Sequence, residues 1–206
     1  SLAMVVAWPL HSQTVGNYSV RHFDVSDGLS NEWITDIEQD EAGFLWIATQ
    51  YGINRFDGRT FTPYTYRPGD DAGPQANWTR RLLSVSPDEL WLSTLGKGLV
   101  MMDTRRERFA RATQFGWPGW AIAGELFVDQ SGRRWASFVN ALASLTPGEE
   151  LRESSGPRIH ALTENARGEI FGAGTQGIWQ IDPESLSRIP ISEESAYAIH
   201  AIGNDS

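Results

Sequence analysis

Tryptophan and arginine occupy one recurring position of this sequence, and such residues bind ligands that have flat faces and polar edges. Trp33, Trp78 and Arg158 each lie 13 residues before an aromatic residue that recurs along the chain. In the third repeat, the corresponding loop holds Trp117 and Trp120. Aromatic side chains with a few polar groups suit a carbohydrate or another planar ligand. We therefore treat these five residues as candidate ligand contacts; the alternative is that the tryptophans pack on neighbouring loops or on a partner domain.

Two histidines form a second set of candidates. His160 lies 11 residues before its recurring aromatic residue, and His200 takes the matching place in a later, shorter stretch. The other repeats hold Thr35, Arg80 and Gly124 at this position. Polar residues that recur at one position could line a shared channel, where two histidines could bind an anion, a metal or a proton. The alternative is that both are hydrogen-bonded structural residues, since two histidines without a third ligand make a poor metal site.

Four short loops differ most between repeats, and variable loops on a fixed scaffold usually carry binding specificity. They add four candidate ligand contacts: Tyr51, Lys97, Asn140 and Gln176. No serine–histidine–aspartate order and no paired-carboxylate spacing stands out, and His160 with Glu32 is the best acid–base pairing that the chain offers. We therefore expect no catalytic residue, no metal site and no cofactor in this segment.

These candidates lie on a repeating unit. The recurring aromatic residues are Trp46, Trp91, Trp135 and Phe171, separated by 45, 44 and 36 residues. Short strands repeated at a period of about 40 residues are typical of propeller blades. We predict an all-β fold, a β-propeller of four-stranded antiparallel blades, here an incomplete fragment of about four blades with an unpaired first strand and an unpaired last strand.

The turn before three of the four recurring aromatic residues holds an acid or amide and then a glycine. Asp40, Asp129 and Asn165 take this place, each three residues before a glycine. Calcium needs six or more oxygen ligands around one point, whereas these side chains occur once per blade. We interpret them as turn residues, and the recurring tryptophans as core packing between blades.

The repeat boundaries predict the following organisation. Residues 14–206 form the partial propeller, with blades at approximately 30–66, 77–112, 120–153 and 157–190, the start of a fifth at 195–206, and an outer closing strand at 18–25. Residues 1–13, of which 2–10 are apolar, resemble the remnant of a secretory signal peptide. The alternative is that they form an apolar N-terminal strand.

Composition excludes several classes of function. The chain has 206 residues and a formal net charge of −9, with a pI near 4.9. Nucleic acids and anionic membranes attract basic surfaces, so neither is an expected partner. Cysteine is absent, which excludes disulfides, thiolate metal sites and cysteine nucleophiles.

The first repeat resembles the two-component regulator propeller repeat. The residues that carry the resemblance are the runs 23–31, 34–40, 43–49 and 52–58. The likeness is looser in the second and fourth repeats and weak in the third, where the turn at 139–141 has no glycine. The resemblance implies a periplasmic sensor region, usually two propellers followed by a β-sandwich, a transmembrane helix and a cytoplasmic output. That output is most often a hybrid histidine kinase and sometimes a diguanylate cyclase.

The resemblance therefore implies a non-catalytic, ligand-sensing segment of a membrane-anchored signalling protein. Its expected partners are a small-molecule or oligosaccharide ligand, the rest of the propeller, the downstream signalling modules and a second copy of the parent protein. Two other functions remain open. The chain could belong to a secreted propeller enzyme, either a lyase or a glycan hydrolase, or it could be a purely structural interaction module.

Overall fold

The computed structural model describes residues 20–117, 119 and 123–200, which contain sixteen β-strands in four antiparallel sheets of four strands each. The first sheet consists of β1 (Ile34–Gln39), β2 (Leu45–Thr49), β3 (Gly52–Phe56) and β4 (Phe61–Tyr64). The second consists of β5 (Thr79–Ser86), β6 (Glu89–Thr94), β7 (Gly98–Asp103) and β8 (Arg108–Arg111). The third consists of β9 (Ala123–Val128), β10 (Arg134–Phe138), β11 (Ala141–Leu145) and β12 (Arg152–Ser155). The fourth consists of β13 (Ala161–Glu164), β14 (Ile170–Gly174), β15 (Gly177–Ile181) and β16 (Arg188–Ser192).

Each sheet is a meander in which strands adjacent in the chain are hydrogen-bonded neighbours. The first strands of the four sheets, β1, β5, β9 and β13, contact one another in chain order and form the inner strands. Apolar clusters fill the interfaces between successive sheets. The predicted propeller of four-stranded blades is therefore confirmed. Within the described residues every sheet is open and pairs with no strand of another sheet.

The two terminal strands of the prediction form no ladder within the described residues. Residues 20–24 pair with no strand there and Val25–Asp27 form a single turn of 3-10 helix, so the closing strand at 18–25 stays a prediction. An outer strand needs a neighbour to pair with, and none lies beside this segment; Phe23 instead packs edge-on against Phe56 and Phe61, with ring centroids 5.0 and 5.5 Å away.

The predicted inner strand of a fifth blade is also absent over residues 195–200. There the N–H of Ala196 donates a hydrogen bond to the carbonyl of Gly174 at 2.9 Å, and no ladder follows. Residues 1–13 and 201–206 lie outside the described part of the chain, so the signal-peptide prediction and the end of the fifth repeat stay predictions.

The turn acids hold the recurring tryptophans. The indole Nε1 of Trp46 donates to Asp40 Oδ2 at 2.8 Å, and that of Trp135 donates to Asp129 Oδ2 at 2.9 Å. The other oxygen of Asp40 accepts the N–H of Phe44 at 2.9 Å, which closes the turn. A buried indole is stable only with its N–H paired, so one carboxylate both shapes the turn and satisfies the core side chain. The turn and core interpretations are confirmed for these residues.

Side chains of the first blade bind the backbone of the second. Asp36 Oδ2 accepts the N–H of Leu82 at 2.9 Å, and Glu38 Oε1 accepts the N–H of Ser84 at 3.0 Å. β5 has a strand neighbour on one side only, because inner strands of adjacent blades do not pair with each other. The two carboxylates therefore satisfy backbone donors that no strand reaches.

The Glu38 carboxylate makes the stability of this contact between the first and second blades depend on pH. Burial raises the pKa of Glu38; the Ser84 N–H opposes this, and the neighbouring Asp36 carboxylate adds to the rise. Because the folded-state pKa is raised, the carboxyl's contribution to stability is full below the unfolded pKa and is lost as pH rises through the folded pKa.

We expect Glu38→Gln to raise the free energy of unfolding at pH 7, because glutamine keeps an acceptor for the Ser84 N–H and carries no charge. The gain should shrink as the pH falls below the raised pKa of Glu38, where the glutamate is itself protonated. Denaturant titrations of the complete protein at several pH values measure this, with Glu41→Gln in the exposed β1–β2 turn as control. A destabilised Glu38→Gln variant at pH 7 would contradict the argument.

Candidate ligand site at the inner strands

A cavity of about 430 Å³ lies where the inner strands begin. Thr35 of β1, Arg80 of β5, Gly124 of β9 and His160, just before β13, all line it. These four residues occupy the same position of the repeat, so each blade contributes one of them to the cavity. Strand register explains the convergence, since the inner strands start at one end of the molecule: Ile34 pairs with Thr49 and Ala161 with Ala173, at the ends of the second strands.

Loops and neighbouring strand positions complete the lining with Trp78, Arg81, Glu125, Arg158, Ile159 and Tyr197. Trp78 is 42% exposed, and its carbonyl accepts the N–H of Leu95 at 2.9 Å, which fixes the backbone at the start of β5. Arg81 Nε lies 3.2 Å from Glu125 Oε2, a pair that links the second and third blades. The cavity therefore combines one half-exposed aromatic ring with one neutralised charge pair.

Three further basic groups have no acidic partner among the described residues. They are Arg80, Arg158 and His160, and the buried Nε of Arg158 and Nε2 of His160 have no hydrogen-bond partner there. Burial lowers the pKa of Arg80, and the positive charges of Arg158 and Arg81 lower it further. Burial also lowers the pKa of His160, again with Arg158 and Arg80 adding to the effect. Such mutual repulsion between cations favours binding of a negatively charged group.

His160 is held by its backbone and by one ring contact. Its N–H donates to the carbonyl of Ala173 at 2.7 Å, and its ring lies 5.3 Å from that of Tyr197 at an interplanar angle of 35°. Glu32 is exposed and does not line the cavity. The structure therefore does not form the acid–base pairing of His160 with Glu32 that an enzyme function would have used.

The predicted aromatic residues separate into three groups. Trp78 lines the cavity, whereas Trp33, at the matching position of the first blade, is 69% exposed and lies outside it. Trp117 lies outside this cavity, is only 2% exposed and packs edge-on against Trp91 with ring centroids 4.9 Å apart. It lines a separate cavity between the second and third blades, so as a ligand contact it stays a prediction. The turn of 3-10 helix at Ala112–Phe115 reverses the chain before Trp117 and places it in the core between the second and third blades. Trp120 lies outside the described residues.

The loop candidates lie at the same end of the molecule without reaching the cavity. Tyr51, Lys97, Asn140 and Gln176 are all exposed, and so is His200. None of these five lines the cavity. As ligand contacts they stay predictions, and only a ligand that extends beyond the cavity would meet them.

Four lining residues were not among the candidates predicted from the sequence: Arg81, Glu125, Ile159 and Tyr197. A signal was present for two of them, because Arg81 and Glu125 directly follow the aligned positions Arg80 and Gly124. Tyr197 had none, since it lies in a segment without regular structure.

Comparison with known proteins shows which proteins this chain is similar to. Residues 28–51 match the family described as two component regulator propeller. Over 54 residues the chain is 46% identical to histidine kinase P4 of Formosa agariphila, a match that covers 26% of this chain and 4% of that protein. The chain contains a two component regulator propeller repeat. This propeller thus spans a small part of the length of its curated relative.

Solved structures show the same fold at low identity. The extracellular domain of the hybrid two component system BT3049 from B. thetaiotaomicron is 17% identical with a TM-score of 0.58, and the match covers 84% of this propeller and 32% of that chain. Virginiamycin B lyase from Staphylococcus aureus, solved with quinupristin, is 15% identical with a TM-score of 0.65, and the match covers 91% and 64% of the two chains. Among the described residues, no helix has the length and apolar character that a membrane crossing requires.

Proposed function

We propose that this propeller is the ligand-sensing part of an exported, membrane-anchored signalling protein whose output is a histidine kinase. The observation that carries the proposal is the cavity at the inner strands, to which all four described blades contribute one residue from the same repeat position. The family match, the histidine kinase relative and the fold shared with extracellular domains of two component systems support the placement.

Sensing requires no chemistry at this site. A ligand that contacts several blades changes signalling only through a difference in its affinity for two arrangements of the protein. In this proposal the two arrangements belong to a homodimer of the parent protein, with the propeller in the periplasm and the kinase in the cytoplasm. Oligosaccharides are suitable ligands because Trp78 offers a half-exposed aromatic face beside polar groups.

The test is ligand-dependent phosphate transfer by the complete protein in vesicles, with an oligosaccharide library supplied on the propeller side. We expect at least one compound to change the rate of phosphate transfer and to be recovered chemically unchanged. Mass spectrometry of the recovered compound provides the control, because the lyase that shares this fold makes turnover the main alternative. A ligand that is consumed by the purified propeller protein would replace the sensor proposal with an enzyme.

A further inference from the structure

The geometry points to an acidic ring compound as the ligand of this cavity, with its oxyanion group held between Arg80, Arg158 and His160 and its ring against Trp78. The inference rests on the proposed function and names the chemical class that the site takes. Carboxylate, sulfate and phosphate share the recognition chemistry, since each accepts charge-assisted hydrogen bonds from guanidinium and imidazole groups.

The charge of the cavity is opposite to that of the chain. The whole sequence carries a net charge of −9, yet the cavity is lined by three arginines and a histidine against a single carboxylate. That carboxylate, Glu125, is already paired with Arg81. The remaining cations, Arg80 and Arg158, have no acidic neighbour among the described residues, so an incoming anion meets uncompensated positive charge.

Two of the donors are buried without partners. Arg158 Nε and His160 Nε2 have no hydrogen-bond partner among the described residues, and a buried donor that stays unpaired costs free energy. An oxyanion has enough lone pairs to accept from both donors and from Arg80 at the same time. Binding would therefore satisfy polar groups that the protein alone leaves open.

Gly124 contributes only backbone to the cavity between the two arginines. Arg80 comes from the second blade and Arg158 from the segment before the fourth, while the third blade contributes Gly124 between them. A Cβ atom at Gly124 would lie 2.6 Å from Ser137 Oγ, so a larger residue here would have to displace Ser137 of β10. The third blade therefore contributes backbone and no side-chain group to the cavity at this position.

Aromatic rings flank the cationic groups. Trp78 lies just before β5, two residues before Arg80, and Tyr197 packs against His160 with ring centroids 5.3 Å apart. Both rings are exposed, so each offers a face to the ring of a ligand. Cations that bind the acidic group, beside aromatic faces that contact the ring, distinguish an acidic cyclic ligand from a free inorganic anion.

The experiment measures dissociation constants of the complete protein by ligand-observed NMR with four probes of one ring size: glucuronic acid, the sulfate ester of glucose, the phosphate ester of glucose, and glucose itself. Inorganic sulfate tests the anion alone. We expect at least one acidic sugar to bind about 10- to 100-fold more tightly than glucose, the range that hydrogen bonds to charged groups provide. The tightest of the three acidic probes identifies the anionic group.

Variants test the location. Arg80→Gln and Arg158→Gln should each weaken binding of the acidic sugar about 10-fold or more. Arg105→Gln, which removes the same charge from an exposed residue of the second blade, should leave binding unchanged. Circular dichroism of each variant checks that the fold is retained.

Three results would overturn the inference: equal binding of glucose and the acidic sugars, binding that is insensitive to both cavity arginines, or binding by no probe. If inorganic sulfate binds as tightly as the acidic sugars, the cavity recognises the anion alone and the ring is no part of the inferred ligand class. If glucose binds as well as the acids, the sensor proposal stands without the acidic class. If no probe binds, ligand-dependent phosphate transfer decides the sensor proposal separately.

Discussion

Trp135→Ala is expected to lower the free energy of unfolding of the complete protein by about 3–5 kcal/mol, as truncation of a large buried aromatic side chain does. The Trp135 side chain is completely buried and packs among apolar residues of the third and fourth blades, including Ile159 and Leu162. Alanine leaves a cavity there and deprives Asp129 of its indole donor. Ile159 also lines the ligand cavity, so the ligand site loses its support as the interface loosens.

Urea titration followed by circular dichroism measures this effect, and Trp33→Ala is the matched control because it removes the same side chain from an exposed position. We expect the control to change the stability by less than about 0.5 kcal/mol. Equal effects of the two substitutions would show that Trp135 does not carry the interface. A Trp135→Phe variant provides an intermediate case, because it keeps most of the volume and removes only the hydrogen bond to Asp129.

Trp78→Ala is expected to weaken ligand binding by about 30-fold, which corresponds to about 2 kcal/mol for an aromatic residue at the centre of a binding site. Trp78 is the predicted rim tryptophan that lines the cavity, and about half of its surface is already exposed without a ligand. Its loss therefore removes a contact surface for the ligand with little change to the core. The measurement is a binding isotherm with the ligand found in the phosphate-transfer screen.

Trp33→Ala is again the matched control, now for binding. It takes the same repeat position in the first blade and lies outside the cavity, so affinity should stay within about twofold of the unaltered protein. Loss of affinity in both variants would indicate a ligand that extends across the rim to the first blade. If the Trp78→Ala variant binds the ligand with unchanged affinity, Trp78 does not contact the ligand.

The periodic part of the molecule was predictable from the sequence. Turn acids such as Asp40 and recurring tryptophans such as Trp46 appear at fixed spacing because the first and third blades share the same turn and the same buried, hydrogen-bonded ring. The same periodicity aligned Arg80 with His160, and the structure brings both to one cavity. Repeats of equal geometry place equivalent backbone positions at equivalent distances from the centre, so alignment alone was sufficient.

The non-periodic part was not predictable in the same way. Trp33 and Trp78 share a repeat position but differ in whether they reach the cavity, since side-chain direction depends on loops that differ between blades. Trp117 lies in the core because the turn of 3-10 helix at Ala112–Phe115 directs the chain between the second and third blades, and no pattern in the sequence indicated that turn. Tyr197 became part of the site through contact with His160 and not through any pattern in the sequence.

The hydrogen bonds from Asp36 and Glu38 to the second blade also bear on how such a chain can evolve. The acceptors belong to one repeat and the donors, the N–H groups of Leu82 and Ser84, belong to the next. A gene duplication or exchange that breaks the chain between β4 and β5 would therefore separate donors from their acceptors, even though each blade stayed whole. A segment that recombination moves without losing these hydrogen bonds must therefore contain both β1 and β5, that is, the whole first blade together with the inner strand of the second.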